Sequence, residues 1–216
     1  MSYSKEQIAA ILDLAVLKPT ATQQDIKDAC ALANKHGIRS VCVAPCNVKL
    51  AASLFGNVSA VVGFPHGTSE PAVKYLEATT AMRDGARELD MVLNYGRFLG
   101  GDPSPVIAEL AVVVSAAHQV GVTVKAILET CYHTPAQIRE MCRICVNCGT
   151  DFVKTSTGFG QEGATFGTVQ IMLDAVDGSG VQVKASGGIH HYAQVARYLD
   201  LGCTRIGASN FNELLP

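Results

Sequence analysis

Short apolar or β-branched runs return about every 20 to 30 residues along this chain, and the stretches between them carry helical periodicity. Eight runs read as strands: 12–17, 40–44, 60–64, 88–94, 123–129, 151–155, 182–185 and 204–207. Amphipathic helices are predicted between them over 22–35, 69–84, 105–119, 135–147, 165–176 and 191–200. Thr134-Pro135 reads as a helix start, since Thr caps and Pro suits the first helical position. Gly37, Gly85, Gly121, Gly149 and Gly202 each follow a helical stretch, as a left-handed C-terminal cap requires. Eight βα units in series suit a closed parallel barrel, an α/β fold of the (β/α)8 TIM type. An open doubly wound sheet usually has fewer strands and a dinucleotide loop, and no G-x-G-x-x-G follows the first run.

The size and composition agree with one barrel domain over residues 1–216. Apolar residues make up 48% and charged residues 17%, far from a disordered profile. A net charge of -2 with no basic run offers nothing to nucleic acid or to an anionic membrane. The opening Met-Ser-Tyr-Ser-Lys-Glu-Gln lacks the basic and apolar regions of a signal peptide, and no apolar stretch approaches the length of a membrane span. A cytoplasmic protein is expected, with its eight cysteines as free thiols.

Chemistry in such barrels gathers at the C-terminal ends of the strands. The pattern places Asp13 on the first strand, Cys42 on the second, Asp90 on the fourth, Glu129 at the end of the fifth, Lys154 on the sixth and Lys184 on the seventh. Helices cover the outer face of a parallel sheet, so Lys154 and Lys184 are expected to point inward. Repulsion between two neighbouring cations, together with desolvation, depresses the pKa of at least one, and a neutral amine attacks carbonyls. Asp90 supplies a carboxyl group to pair with a lysine and shuttle protons. The same trio also fits an ion-pair network that only fixes the barrel interior. Lys125, near the start of its strand, reads as structural or at the bottom face, and Glu129 as a supporting group.

Gly187-Gly188 follows the seventh strand and Gly207-Ala208-Ser209-Asn210 the eighth, where barrels frequently bind phosphate through backbone N–H groups. Gly158 after Lys154 joins that set, although glycines there also serve tight turns. A small phosphorylated carbonyl compound is the expected substrate.

At these residues the chain resembles the deoxyribose-phosphate aldolase family, a class I, Schiff-base family, from Leu12 to Asn210. The motifs are Leu17-Lys-Pro-Thr-Ala-Thr, Val62-Gly-Phe-Pro-His-Gly, Glu88-Leu-Asp-Met-Val, Asp151-Phe-Val-Lys-Thr-Ser-Thr-Gly-Phe-Gly and Val183-Lys-Ala-Ser-Gly-Gly-Ile, in that order. The resemblance implies reversible cleavage of 2-deoxy-D-ribose 5-phosphate to glyceraldehyde 3-phosphate and acetaldehyde, with no metal or cofactor. It implies that Lys154 forms the imine, Lys184 perturbs it and Asp90 acts as acid and base with a water. Asp13 and Cys42 match positions near the substrate hydroxyls. Gly158, Gly187, Gly188, Gly207 and Ser209 match the phosphate site, with His190 beside it. A homo-oligomer, dimer or tetramer, is also implied.

Two positions depart from the family's pattern. Ala15 stands where members often have Thr, removing a hydroxyl from the proton-relay network. His190 stands where a basic residue is common, so phosphate affinity is expected to weaken from about pH 6 to 8. Cys142, Cys145 and Cys148 show the C-x2-C-x2-C spacing of an iron-sulfur run, but they also fit the buried side of an amphipathic helix. Cys42 reads either as a thiol open to reactive aldehydes or as a small core residue. His66 either borders the site or is structural. The competing functions are another lysine-dependent sugar-phosphate aldolase and a catalytically silent sugar-phosphate binder.

Overall fold

The computed structural model describes residues 2–216. Eight parallel strands close in sequence order, β1 pairing with both β2 and β8. They are β1 (Leu12–Val16), β2 (Ser40–Val43), β3 (Val58–Val62), β4 (Glu88–Val92), β5 (Thr123–Ile127), β6 (Phe152–Lys154), β7 (Gln182–Ser186) and β8 (Arg205–Ala208). All eight sequence runs fall on strands. The third is displaced, because β3 begins at Val58 and the chain leaves the sheet at Gly63, whose φ is 63°.

The long helices α2 (Gln23–His36), α4 (Pro71–Arg83), α6 (Ser104–Gln119), α7 (Pro135–Asn147), α8 (Phe166–Val176) and α9 (Tyr192–Leu201) form the outer ring. Three five-residue helices, α1 (Lys5–Ala9), α3 (Val48–Ala52) and α5 (Tyr95–Leu99), escaped the periodicity because they are too short to show one. Thr22, Thr134 and Thr165 each cap a helix and exchange bonds with the third helical residue. All five glycines predicted to end helices have positive φ, from 65° at Gly37 to 119° at Gly202.

The apolar core lies between sheet and helices, filled by the outward residues of each strand, such as Leu12, Leu14, Leu89, Met91, Val124 and Ala126. Alternation turns the other set inward, and there the barrel departs from the branched apolar filling usual for the fold. Asp13, Ser40, Ser59, Glu88, Asp90, Lys125, Lys154, Lys184 and Arg205 are all buried. A second buried pair lies outside the barrel, where Lys74 of α4 meets Glu109 of α6 at 2.7 Å. Lys74 also donates to the Val92 carbonyl at 2.8 Å, and Glu109 accepts from the Asn94 N–H at 2.8 Å. Both helices are thereby pinned to the C-terminal end of β4. No helix among the described residues is long and apolar enough to cross a membrane.

Candidate active site

Asp90 is the hub of the interior. Its Oδ2 accepts from Lys154 Nζ at 2.8 Å and Lys184 Nζ at 2.7 Å, and its Oδ1 from Lys125 Nζ at 2.7 Å and Ser59 Oγ at 2.9 Å. Strand register makes this possible, because Asp90 is level with Lys125, and Lys154 with Lys184. Asp13 accepts from Lys184, from Ser40 Oγ at 2.6 Å and from Arg205 Nη1 at 2.7 Å. One tier lower, Glu88 meets Lys125 at 2.5 Å and Arg205 at 2.9 Å. Lys125 is therefore not at the bottom face but bonded directly to Asp90. The sequence assigns no role to Arg205, and Glu88 figures there only as the start of a motif.

The lysines titrate in opposite directions. Burial is the largest influence on Lys154 and lowers its pKa; Asp90 opposes this, and the Lys184 charge pushes the same way as burial. For Lys184 burial is outweighed by Asp13 and then Asp90, and its pKa rises. Lys125 is raised similarly by Asp90, Asp13 and Glu88 against its burial. Burial would raise Asp90, yet Lys125, Lys154 and Lys184 together hold it well below the carboxylate range. Lys154 is thus the lysine of this set whose proton is loosened.

Above the lysines opens a cleft of about 1310 Å³ at the C-terminal end of the barrel. Asp13, Cys42, Lys154, Gly158, Lys184, Gly187, Gly188, His190, Gly207 and Ser209 all line it, and Asp90 lies beneath, fully buried. Ala15 lines it too, leaving a methyl where a hydroxyl was noted as missing. Gly158, Gly187 and Gly188 have φ of 88°, 83° and 71°, a backbone that glycine adopts without strain. Gly207 has a different constraint: a Cβ there would stand 2.9 Å from Ser186 Cβ and 3.1 Å from Lys184 Cε. Its missing side chain makes room for the Lys184 stem.

Glu129 follows β5 with φ 52°, the one positive φ outside glycine among the described residues. Its carboxylate accepts from the Thr157 hydroxyl and from the Thr157 N–H at 3.2 Å, tying it to the loop after Lys154. Burial raises its pKa, against the pull of Thr157, Lys154 and His66. His66 does not line the cleft. The eight cysteines are free thiols. Cys142 and Cys145 are buried on α7, and burial pushes the Cys142 thiol up to about 12. No group of three or more His, Cys, Asp or Glu positioned to hold a metal occurs among the described residues.

An amine with a lowered pKa on a cleft floor, flanked by a second lysine and a carboxylate, is suited to imine chemistry. The family model for DeoC/LacD family aldolases matches residues 7–209. The chain belongs to that family. A deoxyribose-phosphate aldolase of Thermococcus kodakarensis is 43% identical over 213 residues, spanning 96% of this chain and 95% of that one. Among solved structures, the aldolase QR15 superposes with a TM-score of 0.90 at 35% identity, covering 96% and 93% of the two chains. The deoxyribose phosphate aldolase of Aeropyrum pernix, described as a unique tetramer, has a TM-score of 0.90 at 31% identity, covering 98% and 90%. The DeoC/LacD aldolase described here therefore shares its barrel with those enzymes over nearly its whole length.

Proposed function

We infer that the enzyme is a class I aldolase that reversibly cleaves 2-deoxy-D-ribose 5-phosphate, with Lys154 as the amine that forms the Schiff base. The observation that carries the role of Lys154 is its placement: it lines the cleft, contacts Asp90 at 2.8 Å, and has its pKa lowered while Lys125 and Lys184 are raised. The relatives named deoxyribose-phosphate aldolase support the substrate.

Neutral Lys154 adds to the C1 aldehyde of the open-chain sugar, and the carbinolamine loses water to give a protonated imine. The C3 hydroxyl then gives up its proton, the C2–C3 bond breaks, and its electron pair moves into the C1–C2 enamine. Glyceraldehyde 3-phosphate leaves. Protonation of C2 regenerates the imine, and water releases acetaldehyde and the free amine. Asp90, held ionised by its lysines, moves these protons through a water, a role typically contributing about 10²- to 10⁴-fold. Lys184 stays cationic and disfavours a second positive charge on Lys154 before substrate arrives. Asp13 and Cys42 lie on the cleft wall where the sugar hydroxyls would pass. The loops bearing Gly158, Gly187, Gly188, His190 and Ser209 receive the phosphate through backbone N–H groups.

The proposal extends to assembly as a homo-oligomer in the cytoplasm. The tetrameric Aeropyrum pernix relative supports association, and the free thiols support the compartment. Incubation with deoxyribose 5-phosphate and borohydride, followed by intact mass and peptide mapping, should leave a reduced adduct on Lys154. Ligand binding with no adduct would overturn the aldolase reading.

A further inference from the structure

The barrel interior holds four cations, Lys125, Lys154, Lys184 and Arg205, against three carboxylates, Asp13, Glu88 and Asp90. If every group is ionised, one positive charge is left over in a buried space, where uncompensated charge is costly. Arginine does not deprotonate in proteins, so the excess must be relieved at a lysine. Lys125 is held by Asp90 at 2.7 Å and Glu88 at 2.5 Å, and Lys184 by both Asp13 and Asp90. Lys154 has one carboxylate neighbour, Asp90 Oδ2 at 2.8 Å, and shares that oxygen with Lys184. It is the least compensated of the three.

We propose that Arg205 is a positioning residue for catalysis: by occupying Asp13 and Glu88 from beneath, it supplies the surplus cation that keeps the Lys154 amine unprotonated. Arg205 touches no group on the cleft floor except through Asp13. Its guanidinium takes Asp13 Oδ1 at 2.7 Å and Glu88 at 2.9 Å, and it lies 5.2 Å from the Phe152 ring. Without it, the released face of Asp13 would draw Lys184 away from Asp90, and Lys154 would gain Asp90 Oδ2 and a proton. The other groups facing this set are Cys42, whose burial keeps its thiol protonated, and exposed Arg39, 3.7 Å from Glu88. Glu129 faces Lys154 as well and feels its charge, but it makes no ion pair among the described residues and its carboxylate is bonded to Thr157.

This inference rests on Lys154 being the imine lysine, and its test separates the two. Trapping of acetaldehyde on Lys154 by cyanoborohydride, followed by peptide mass from pH 5 to 10, reads the amine's ionisation without any phosphate contact. No adduct in the wild type would sink the aldolase reading. Given an adduct, Arg205→Met should move the acid limb of trapping upward by about one pH unit or more, a roughly tenfold slower reaction on the acid side. Arg205→Lys, which keeps the charge, should hold the limb near its wild-type position. Glu88→Gln removes a carboxylate from the same ion pair and should move the limb downward. Opposite movements distinguish charge balance from loosened packing, which would slow both variants without separating their limbs. An unmoved limb in Arg205→Met, or a limb in Glu88→Gln that is unmoved or raised, overturns the proposal; the second arm stands alone if Arg205→Met does not fold.

Discussion

Replacing Gly207 by alanine separates two readings of one glycine. The residue sits on β8 without a positive φ, so the backbone accepts an L side chain. The new methyl would meet Ser186 Cβ at 2.9 Å and Lys184 Cε at 3.1 Å, and reaching an ordinary contact near 3.4 Å requires Ser186 to give by about 0.5 Å and the Lys184 stem by about 0.3 Å. Lys184 has little freedom to do so, since Asp13 and Asp90 grip its amine. Overpacking of this kind costs about 1–3 kcal/mol, a fall of several degrees in Tm for a chain of this size. Displacement of about 1 Å at a catalytic group can cost about 10²-fold, so this smaller shift should lower acetaldehyde trapping at Lys154, and kcat, by about tenfold. The KM for deoxyribose 5-phosphate should change less than kcat. A raised KM with wild-type trapping would refute the packing argument and return Gly207 to the phosphate site.

Asp90→Asn leaves Lys125, Lys154 and Lys184 short of their shared counter-charge and should lower stability by about 3–5 kcal/mol in urea unfolding at pH 7. Asp90's folded pKa lies below its unfolded value of about 3.9, so its contribution is complete above that pH and is lost as pH falls. The stability gap between wild type and variant should therefore narrow below about pH 4; a gap constant from pH 7 to 3 would contradict the ion-pair assignment. Burial pushes the Cys42 thiol up to about 11, leaving about one thiolate in 10⁴ at pH 7. Peptide mapping after brief exposure to an alkylating reagent or a reactive aldehyde should find exposed Cys46 modified well before Cys42, and the reverse order would show that Cys42 is activated.

Most of the architecture was legible because β-branched runs and glycine stops are local features. The strand over Glu88–Val92 and the helix over Pro135–Asn147 announce themselves in their own residues. The first short helix had one readable sign, the Ser4 and Gln7 capping box, but no period to confirm it. Lys154, Lys184 and Asp90 stood out because charge inside an apolar run demands an explanation. Arg205 carries the same kind of sign, yet it opens a four-residue strand, where nothing local tells an inward residue from one at the rim. Its partners are Asp13 and Glu88, far away in the chain, and only the register of a closed barrel brings them together. The packing role of Gly207 was hidden likewise, since it depends on a lysine of the neighbouring strand.

The bond between Arg205 and Asp13 joins residues 192 positions apart, and the Lys184 bond to Asp13 joins residues 171 apart. A growing or half-folded chain that contains β1 to β6 already holds Asp13, Glu88 and Asp90 but lacks two of the cations that neutralise them. Such an intermediate must keep its interior wet or protonated, so the dry ionic core cannot precede closure of the last two strands. Contacts of this sequence separation are slow to form. Ring closure and assembly of the reactive amine are then a single event: a half barrel should be both loosely packed and chemically silent.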